Sequence, residues 1–395
     1  MRERKRDVWI TGIGLVSSLG EGLEAHWAAL DAGAPPVTDA ETFAPYVVHP
    51  LVKVNYDQQI PKKGDQRQME AWQRIGTYAA GLALESAGVA KNAEILARTD
   101  MIVAAGGGER DFLADAAILN DLLETNDWGR SLNERLLSDL RPTLSLAQLS
   151  NLLAGNISIV HGVTGSSRTF MGEESAGVDA TRIAFSRIAA GQSEIGLVGG
   201  AYNAEREDML LLYALNDLCM TGSFRPVLGA EVAPGIPSGS MGAFLVLESP
   251  EHATARGAKP IAKLSGVWSE RAKRDEAGSV AEKVRSLIAT AGTGPTTALY
   301  SGATGASGAT QAEGEALSDA GVPVRVVANR IGHGFEAQFT ALLGLAALSI
   351  ARGAAIPASP ALPLEAPHAG ALERVIVTSV GHWRGEGAGL VEKVD

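Results

Sequence analysis

The sequence stretch that decides the fold class is Val8-Trp9-Ile10-Thr11-Gly12-Ile13-Gly14. β-Branched and aromatic residues dominate it, so it predicts a buried strand that runs into a glycine turn. Similar short apolar runs recur along the chain and alternate with amphipathic stretches of helical length. Strands that alternate with helices predict an α/β fold with mostly parallel sheets.

Working outward from this strand, the same patterns predict the remaining elements. Further strands are predicted at 101–105, 167–170, 194–198, 243–247, 260–268, 298–300, 324–326, 375–379 and 389–392. Helices are predicted at 21–31, 72–87, 143–154, 175–190, 250–256, 279–292, 311–319 and 335–352. We expect 109–140 to be irregular with helical pieces, and the proline- and alanine-rich 354–371 to be a connecting loop. Because the alternation repeats, we expect two similar halves, 1–248 and 249–395.

Composition favours a compact cytoplasmic protein. The 395 residues are 46% hydrophobic and include 46 glycines but only 5% aromatic residues, which is typical of closely packed α/β layers. The longest uncharged apolar runs fall short of a membrane span. The basic start, Met1 to Asp7, is not followed by the apolar core of a signal peptide.

The net charge of −11 disfavours a nucleic acid or an anionic membrane as the main partner. Four basic residues still cluster locally, namely Lys62, Lys63, Arg67 and Arg74. This cluster is either a solvated face or a docking surface for an acidic partner protein.

Several motif readings are weak. A dinucleotide-binding loop at Gly12-Ile13-Gly14 would need glycine where Ser17 stands. Ser175 lacks the glycine spacing of a hydrolase nucleophile, so we expect it to cap a helix instead. Seven scattered histidines show no helical ligand spacing, and we expect neither a metal nor another cofactor. The single cysteine, Cys219, excludes an intrachain disulfide and lies in an apolar stretch typical of an inert buried thiol.

Segments along nearly the whole chain resemble the elongating β-ketoacyl-acyl carrier protein synthases. The resemblance rests on Val8–Gly20, His26–Gly33, Gln66–Glu70, Arg141–Thr143, Leu153–Gly155, Arg187–Gly191, Val198–Ala201, Leu245–Lys259 and Gly332-His333. It implies a thiolase-like five-layer αβαβα fold with two similar halves. It also implies a dimer built on the strand that precedes the nucleophile, and an acyl carrier protein as partner.

The catalytic set that this resemblance implies is largely missing. The family needs a cysteine nucleophile at a helix N-terminus, two histidines and a lysine. Counting from matching segments puts the cysteine position at Glu174, the first histidine at Gly302 and the lysine at Ala328. The glycine-rich gating loop is also altered, at 381–385. Of the catalytic groups, only the second histidine remains, as His333.

We therefore expect an acyltransferase-family protein that does not condense acyl chains alone. Glu174 either fills the vacated position at the helix N-terminus, where the dipole favours its charge, or serves as a catalytic carboxylate. The favoured function is a chain-length-factor-like subunit of an active synthase, with 109–140 as tunnel wall or interface. The chain resembles in particular the synthase-like protein of the alphaproteobacterial very-long-chain (lipid A) gene set.

Two alternatives remain open at this point. The chain could decarboxylate malonyl-carrier protein, although the charge of Glu174 would repel that carboxylate substrate. It could also be a homodimeric binder of acyl carrier protein or acyl chains. A heterodimer is favoured over a homodimer.

Overall fold

The computed structural model describes residues 6–140, 144 and 148–394. The family-like segment Arg141–Thr143 and a third of the predicted helix 143–154 (residues 143 and 145–147) therefore lie outside the described residues, as does most of the basic N-terminal start. All statements below concern the described part of the chain.

The strands fall close to the predicted runs. They are β1 Val8–Ser17, β2 Gly20–Glu21, β3 Val48–His49, β4 Asp100–Ala104, β5 Ser167–Phe170, β6 Ile195–Tyr202, β7 Ser238–Gly239, β8 Met241–Glu248, β9 Ala262–Glu270, β10 Thr297–Ser301, β11 Val324–Val326, β12 Arg374–Val380 and β13 Glu386–Glu392. The short strands β2, β3 and β7 lack the length of an apolar run, and periodicity does not reveal them.

The helices alternate with these strands as expected. They are α1 Gly22–Asp31, α2 Lys63–Gln68, α3 Ala71–Ser86, α4 Ala93–Arg98, α5 Phe112–Glu124, α6 Trp128–Ser138, α7 Leu152–His161, α8 Glu173–Ala189, α9 Glu207–Ala214, α10 Pro250–Ala255, α11 Ser279–Ala291, α12 Ala309–Ser318, α13 Ala328–Ile331 and α14 Gln338–Arg352. Short 3₁₀ turns occupy Tyr56–Gln58 and Phe335–Ala337.

The main sheet consists of two five-stranded units with the same strand order. One unit runs β5-β4-β6-β8-β1 and the other β11-β10-β12-β13-β9. In each, the first three strands are parallel and the last two are antiparallel to their neighbours. The units join where β1 pairs with β9 over Val8–Ile10. The α/β thiolase-like fold is thus confirmed, and the division at residue 248 stays a prediction.

Helices α8 and α14 form the central layer between the two units. Residues 338–350 of α14 are all buried, and α8 buries small residues such as Ala176, Gly177 and Ala180. Outer helices cover the other faces, with α3 against β1, β8 and β6, and α11 against β12 and β13. The N-terminus of α8 is therefore set deep in the molecule.

The glycines of β1 serve helix packing. A side chain at Gly14 would place its Cβ 1.9 Å from the carbonyl oxygen of Ala79, and one at Gly12 would lie 2.4 Å from that of Ala83. Both carbonyls belong to α3, so the glycines let that helix approach the strand. This packing explains the Gly-x-Gly pattern without a nucleotide.

Three local predictions need correction. The helical pieces expected in 109–140 are confirmed as α5 and α6, but the segment is more regular than expected. The predicted helix 143–154 does not continue through 148–151, which are not helical, and the helix described there is Leu152–His161. Ser175 does not cap α8, because it stands inside the first turn and its hydroxyl donates to the carbonyl of Gly172 at 2.7 Å.

Within the residues that the structure describes, every helix is too short or too polar to cross a bilayer. The cytoplasmic location stays a prediction.

Candidate functional site

A strained turn places Glu174 at the start of α8. Gly172 has a φ of 132°, and Glu173 has a φ of 53°, which is left-handed and sparsely used by residues other than glycine. Glu174 follows in the first helical turn and is only 2% exposed. The predicted position of Glu174 at a helix N-terminus is confirmed.

Two histidines from distant segments converge on the Glu174 carboxylate. The Nε2 of His333 lies 3.0 Å from Oε1 of Glu174. The Nδ1 of His382 lies 3.0 Å from the same oxygen and 3.2 Å from Oε2. A carboxylate only accepts, so both imidazoles donate to it. We call Glu174, His333 and His382 the carboxylate–histidine cluster.

The electrostatics of this cluster favour an ion pair. Burial opposes ionisation of Glu174, but the charge of His382 and the hydrogen bonds from both histidines outweigh it and hold the pKa of Glu174 well below its usual range. Burial also disfavours the charged form of His382, yet the charge and hydrogen bond of Glu174 raise the pKa of His382 above its ordinary value. The carboxylate is thus engaged rather than free to react.

The cluster therefore departs from the simple helix-dipole interpretation of Glu174. The carboxylate accepts its hydrogen bonds from the two imidazole groups, and it does not cap the backbone amides of α8. Its charge still lies in the first turn, where the helix dipole favours it.

Two sets of hydrogen bonds hold the loop 381–385 over the carboxylate–histidine cluster. His382 of the loop donates to Glu174, and Arg274 donates to the loop carbonyls of Gly381 and Trp383 at 3.0 and 3.1 Å. Arg274 also pairs with Glu386 at 2.7 Å. The predicted alteration of this loop thus has a structural effect, because its histidine ties the loop to α8.

A cavity of about 410 Å³ adjoins the cluster. Its walls include aromatic and apolar groups, among them Trp72, Met209, Tyr213 and Trp383, together with the charged groups Glu173, Glu336, Arg206 and Arg384. Arg206 is engaged with Asp208 at 2.5 Å and with the carbonyl of Gly108 at 2.9 Å. The cavity is therefore a mostly apolar pocket with a few polar groups, the usual form of a small-molecule site.

Two carboxyls of the cavity wall are perturbed by their surroundings. Burial, reinforced by the charges of Glu174 and Glu173, raises the pKa of Glu336 to about 7. Burial also raises the pKa of Glu173, with a further contribution from Glu174. Glu336 is 6% exposed and therefore carries its proton up to near neutral pH.

Gly302 and Ala328 contribute no polar side chain to the site. A Cβ at Gly302 would lie 2.6 Å from the carbonyl oxygen of Thr378, so the backbone is closed around this glycine. Ala328 begins α13 and is completely buried. Their assignment to the family's histidine and lysine positions stays a prediction.

The basic cluster lies on and beside α2. Lys62, Lys63 and Arg67 are exposed, and Lys63 pairs with Asp57 at 2.5 Å. Arg74 is half-buried and donates to the carbonyl of Met69 at 2.7 Å, so it holds the turn between α2 and α3. We therefore correct the predicted surface by removing Arg74 from its exposed part.

Three side chains could each offer a ligand atom to a cation. Atoms of Glu173, Glu174 and His382 all lie within 4.8 Å of one another. Sequence spacing could not reveal this group, because its members come from two distant segments. A cation there would have to replace the hydrogen bonds between Glu174 and His382.

Cys219 is less buried than expected, but its thiol is a poor nucleophile. It is partly exposed, and its thiol donates to the carbonyl of Leu210 at 3.5 Å. Burial raises its pKa to about 11, so the thiolate is scarce at neutral pH.

Sequence reasoning missed two members of the site. His382 lies in the altered loop, but the sequence does not show that it reaches Glu174 across 208 positions. Glu336 was missed as well, although a lone carboxylate beside the long apolar run of α14 is a usable signal.

The chain is similar to known proteins over much of its length. Residues 5–251 match the family model for the N-terminal domain of β-ketoacyl synthases. A 3-oxoacyl-acyl-carrier-protein synthase 2 of Vibrio cholerae is 28% identical over 270 residues, which are 66% of this chain and 62% of that protein. One of Rhizobium meliloti is 28% identical over 282 residues, 66% and 63% of the two chains. The matched part spans less than two thirds of these relatives.

Solved structures of similar fold cover nearly the whole chain. The ishigamide ketosynthase/chain length factor is 22% identical with a TM-score of 0.79, covering 99% of this chain and 100% of its own. A β-ketoacyl synthase from Burkholderia phymatum is 21% identical with a TM-score of 0.75 and the same coverage. The family match extends over more than half of the residues, and on that ground the chain belongs to the β-ketoacyl synthase family.

Proposed function

We propose that this chain does not condense acyl groups itself and acts as a chain-length-factor-like subunit of an active β-ketoacyl synthase. The observation that carries the proposal is the state of Glu174. It stands at the position that we assign to the family's cysteine, and His333 and His382 hold it as a buried ion.

The chemistry of a carboxylate argues against condensation. A thiolate attacks a thioester and conserves the activated acyl group, because the product is again a thioester. Attack by Glu174 would give a mixed anhydride, which water hydrolyses readily. The strongly lowered pKa of Glu174 also makes it a weak nucleophile.

The remaining histidine is not available for its usual task. The Nε2 of His333 donates to Glu174, and its Nδ1 has no hydrogen-bond partner among the described residues. His333 is fully buried, so a substrate carbonyl could reach Nε2 only by displacing Glu174. Catalytic groups that act as a unit leave little activity when several are missing.

Similar structures make a subunit role reasonable. One of them is described as a ketosynthase/chain length factor, and another as a type II PKS acyl-carrier protein in complex with its ketosynthase. By analogy, we assign to this chain an active synthase subunit and an acyl carrier protein as partners. The acyl chain is of the very-long-chain class that the sequence resemblance implies.

The exposed lysines and arginine of the basic cluster form the carrier-protein dock of this proposal. Lys62, Lys63 and Arg67 are exposed beside α3, and Trp72 of that helix lines the cavity. An acidic carrier protein on this surface would stand near the cavity that adjoins Glu174.

The test is a reconstitution with purified carrier protein. The chain alone, given acyl- and malonyl-carrier protein, should yield no 3-oxoacyl product by intact-protein mass spectrometry. A 3-oxoacyl product that the Glu174→Gln variant no longer forms would refute the proposal. The same spectra detect acetyl-carrier protein, and its formation would favour the decarboxylase alternative.

The mass of the native complex tests the alternative that the chain is a homodimeric binder of acyl carrier protein. A homodimer that retains acyl carrier protein, with no synthase subunit in its native complex, would replace the subunit role.

A further inference from the structure

Two buried polar side chains in the wall of the cavity lack the partners that such groups normally have. Tyr213 of α9 is 5% exposed, and its hydroxyl forms no hydrogen bond among the described residues. Glu336 is 6% exposed, and the one hydrogen bond that its carboxyl receives within the described part of the chain comes from its own backbone amide. Buried polar groups are nearly always paired, so these two point to a ligand in the cavity.

Local packing fixes the position of Glu336. The 3₁₀ turn Phe335–Ala337 lies against two glycines, since a Cβ at Gly177 or Gly200 would stand 2.8 or 3.1 Å from the carbonyl oxygen of Glu336. At the other end of the residue, a Cβ at Gly106 would stand 2.7 Å from Oε1 of Glu336. Gly106 lines the cavity, so the Glu336 carboxyl occupies the space beside it that the missing side chain leaves.

Ring packing fixes the position of Tyr213. Its ring stacks on Phe335, with centroids 4.6 Å apart and planes inclined by 9°. The ring also meets His382 edge-on at 5.7 Å. Phe335 directly precedes Glu336, so the same short turn positions both polar groups in the wall of one cavity. A ligand would therefore meet a pair of groups that is already in place.

Both groups are hydrogen-bond donors below neutral pH. Burial, reinforced by the charges of Glu174 and Glu173, raises the pKa of Glu336 to about 7. Burial raises the pKa of the Tyr213 hydroxyl well above its ordinary value. A protonated carboxyl and a phenol each donate one hydrogen bond. A phenol together with a neutral carboxylic acid in an apolar site is a known arrangement for holding a carbonyl oxygen.

The charges around Glu336 keep it protonated. Glu174 is paired with His382, and Arg206 is paired with Asp208. Glu173 adds a further negative charge, which opposes the ionisation of Glu336. The titratable groups that face Glu336 come from several segments and are Glu173, Glu174, Tyr202, Arg206, Tyr213 and His382.

The rest of the wall disfavours a charged ligand. Arg384 lines the cavity and would repel an ammonium group, whereas Glu173 would repel a carboxylate. Most of the remaining wall is apolar or aromatic and suits a hydrocarbon chain, with Trp72, Met209, Leu212 and Trp383 among its members. The ligand that fits these groups is uncharged and carries both an acceptor oxygen and an apolar body.

We propose that Tyr213 and Glu336 form a two-donor subsite that binds the carbonyl oxygen of an uncharged acyl thioester or ketone. The apolar wall of the cavity takes the attached chain. This inference goes beyond the proposed function and does not rest on it, because the subsite would serve a non-condensing subunit and a binder of acyl chains alike.

The experiment titrates the full chain with two matched probes by isothermal calorimetry. One is octanoyl-N-acetylcysteamine thioester, and the other is the S-octyl thioether, which lacks the carbonyl oxygen. Two net hydrogen bonds should make the thioester bind about tenfold more tightly than the thioether at pH 6. At pH 8 the thioester should bind about tenfold more weakly than at pH 6, because only about one molecule in ten keeps the Glu336 proton.

Conservative variants separate the two donors. Glu336→Gln keeps a donor in its amide, so it should retain thioester binding at pH 6 and lose the pH dependence. Tyr213→Phe keeps the ring stacked on Phe335 and should weaken binding about three- to tenfold at both pH values. Glu207→Gln and Tyr46→Phe lie outside the cavity wall and are the matched controls, with no change expected. Circular dichroism checks that every variant is folded.

Infrared spectroscopy of the bound thioester reports on the carbonyl itself. Hydrogen bonds donated to a carbonyl oxygen weaken its C=O bond and lower the stretching frequency. The ¹³C=O band of the labelled probe should therefore lie lower on wild type than on Tyr213→Phe. A purely structural role of Tyr213 would leave the band of the bound probe unchanged.

The possible outcomes decide the inference independently of the proposed function. Equal affinity of wild type for thioester and thioether, or no binding of the thioester, overturns the subsite. A pH dependence that persists in Glu336→Gln removes Glu336 from it. Octylammonium that binds more tightly at pH 8 than at pH 6, and is lost in Glu336→Gln, would assign a cation to the ionised carboxylate instead. None of these results changes the expectation that the chain forms no 3-oxoacyl product.

Discussion

The substitution Glu174→Gln tests the buried ion pair with the smallest change of shape. It keeps an oxygen that accepts one hydrogen bond and removes the charge that His382 faces at 3.0 Å. Breaking a buried ion pair costs about 3–5 kcal/mol, but the glutamine acceptor and a neutral His382 recover part of it. We therefore expect a loss of about 2 kcal/mol, a factor of about 30 in the unfolding equilibrium.

The pH dependence of this loss follows from both pKa shifts. The lowered pKa of Glu174 gives stability that is present above its ordinary value and lost as the pH falls. The raised pKa of His382 gives stability that is present below its ordinary value and lost as the pH rises through the raised one. The two windows overlap near pH 6, where the difference between wild type and variant should be largest.

Urea unfolding followed by tryptophan fluorescence at pH 6 and pH 9 measures this difference. The matched control is Glu134→Gln, which removes an exposed ion pair with Arg130 at 2.8 Å and should leave stability unchanged. Equal stability of Glu174→Gln and wild type at pH 6, or a loss that grows towards pH 9, would refute the ion-pair account.

Three further predictions concern single positions. Burial raises the pKa of Glu336 to about 7, so the stability of the wild type should fall between pH 4.5 and 7. In thermal unfolding, Glu336→Gln should therefore be about 2–3 kcal/mol more stable than wild type at pH 8 but not at pH 4.5. Gly302→Ala should destabilise by about 1–3 kcal/mol, because its Cβ meets a backbone carbonyl at 2.6 Å, whereas Gly129→Ala, with open space around it, should be tolerated. Glu248→Gln should cost about 3 kcal/mol in urea unfolding, because that fully buried carboxylate pairs with Arg256 and with His252 at 2.6 Å.

Most of the fold was predictable because apolar periodicity and burial agree. The run 101–105 is a buried strand between two others, and the alanine-rich 72–87 is helical within one residue at each end. The segment 109–140 was not predictable in the same way. Most of its leucines are exposed and an ion pair joins its two helices, so its pattern does not indicate a core-facing side.

Only those parts of the candidate site that depend on single sequence positions could be predicted. Glu174 and His333 were placed by their local sequence context, and the structure brings them within 3.0 Å. The role of His382 depends on a contact across 208 positions. The raised pKa of Glu336 depends on burial beside Glu174, which no local pattern encodes.

The native mass of the complex that contains this chain tests the central claim most directly. The tagged chain would be isolated under mild conditions from its source cells and measured by native mass spectrometry. We predict a complex of two unequal masses, one of them 41.0 kDa plus the tag and the other a second synthase subunit. A homodimer of this chain that condenses acyl and malonyl groups unaided would contradict the claim.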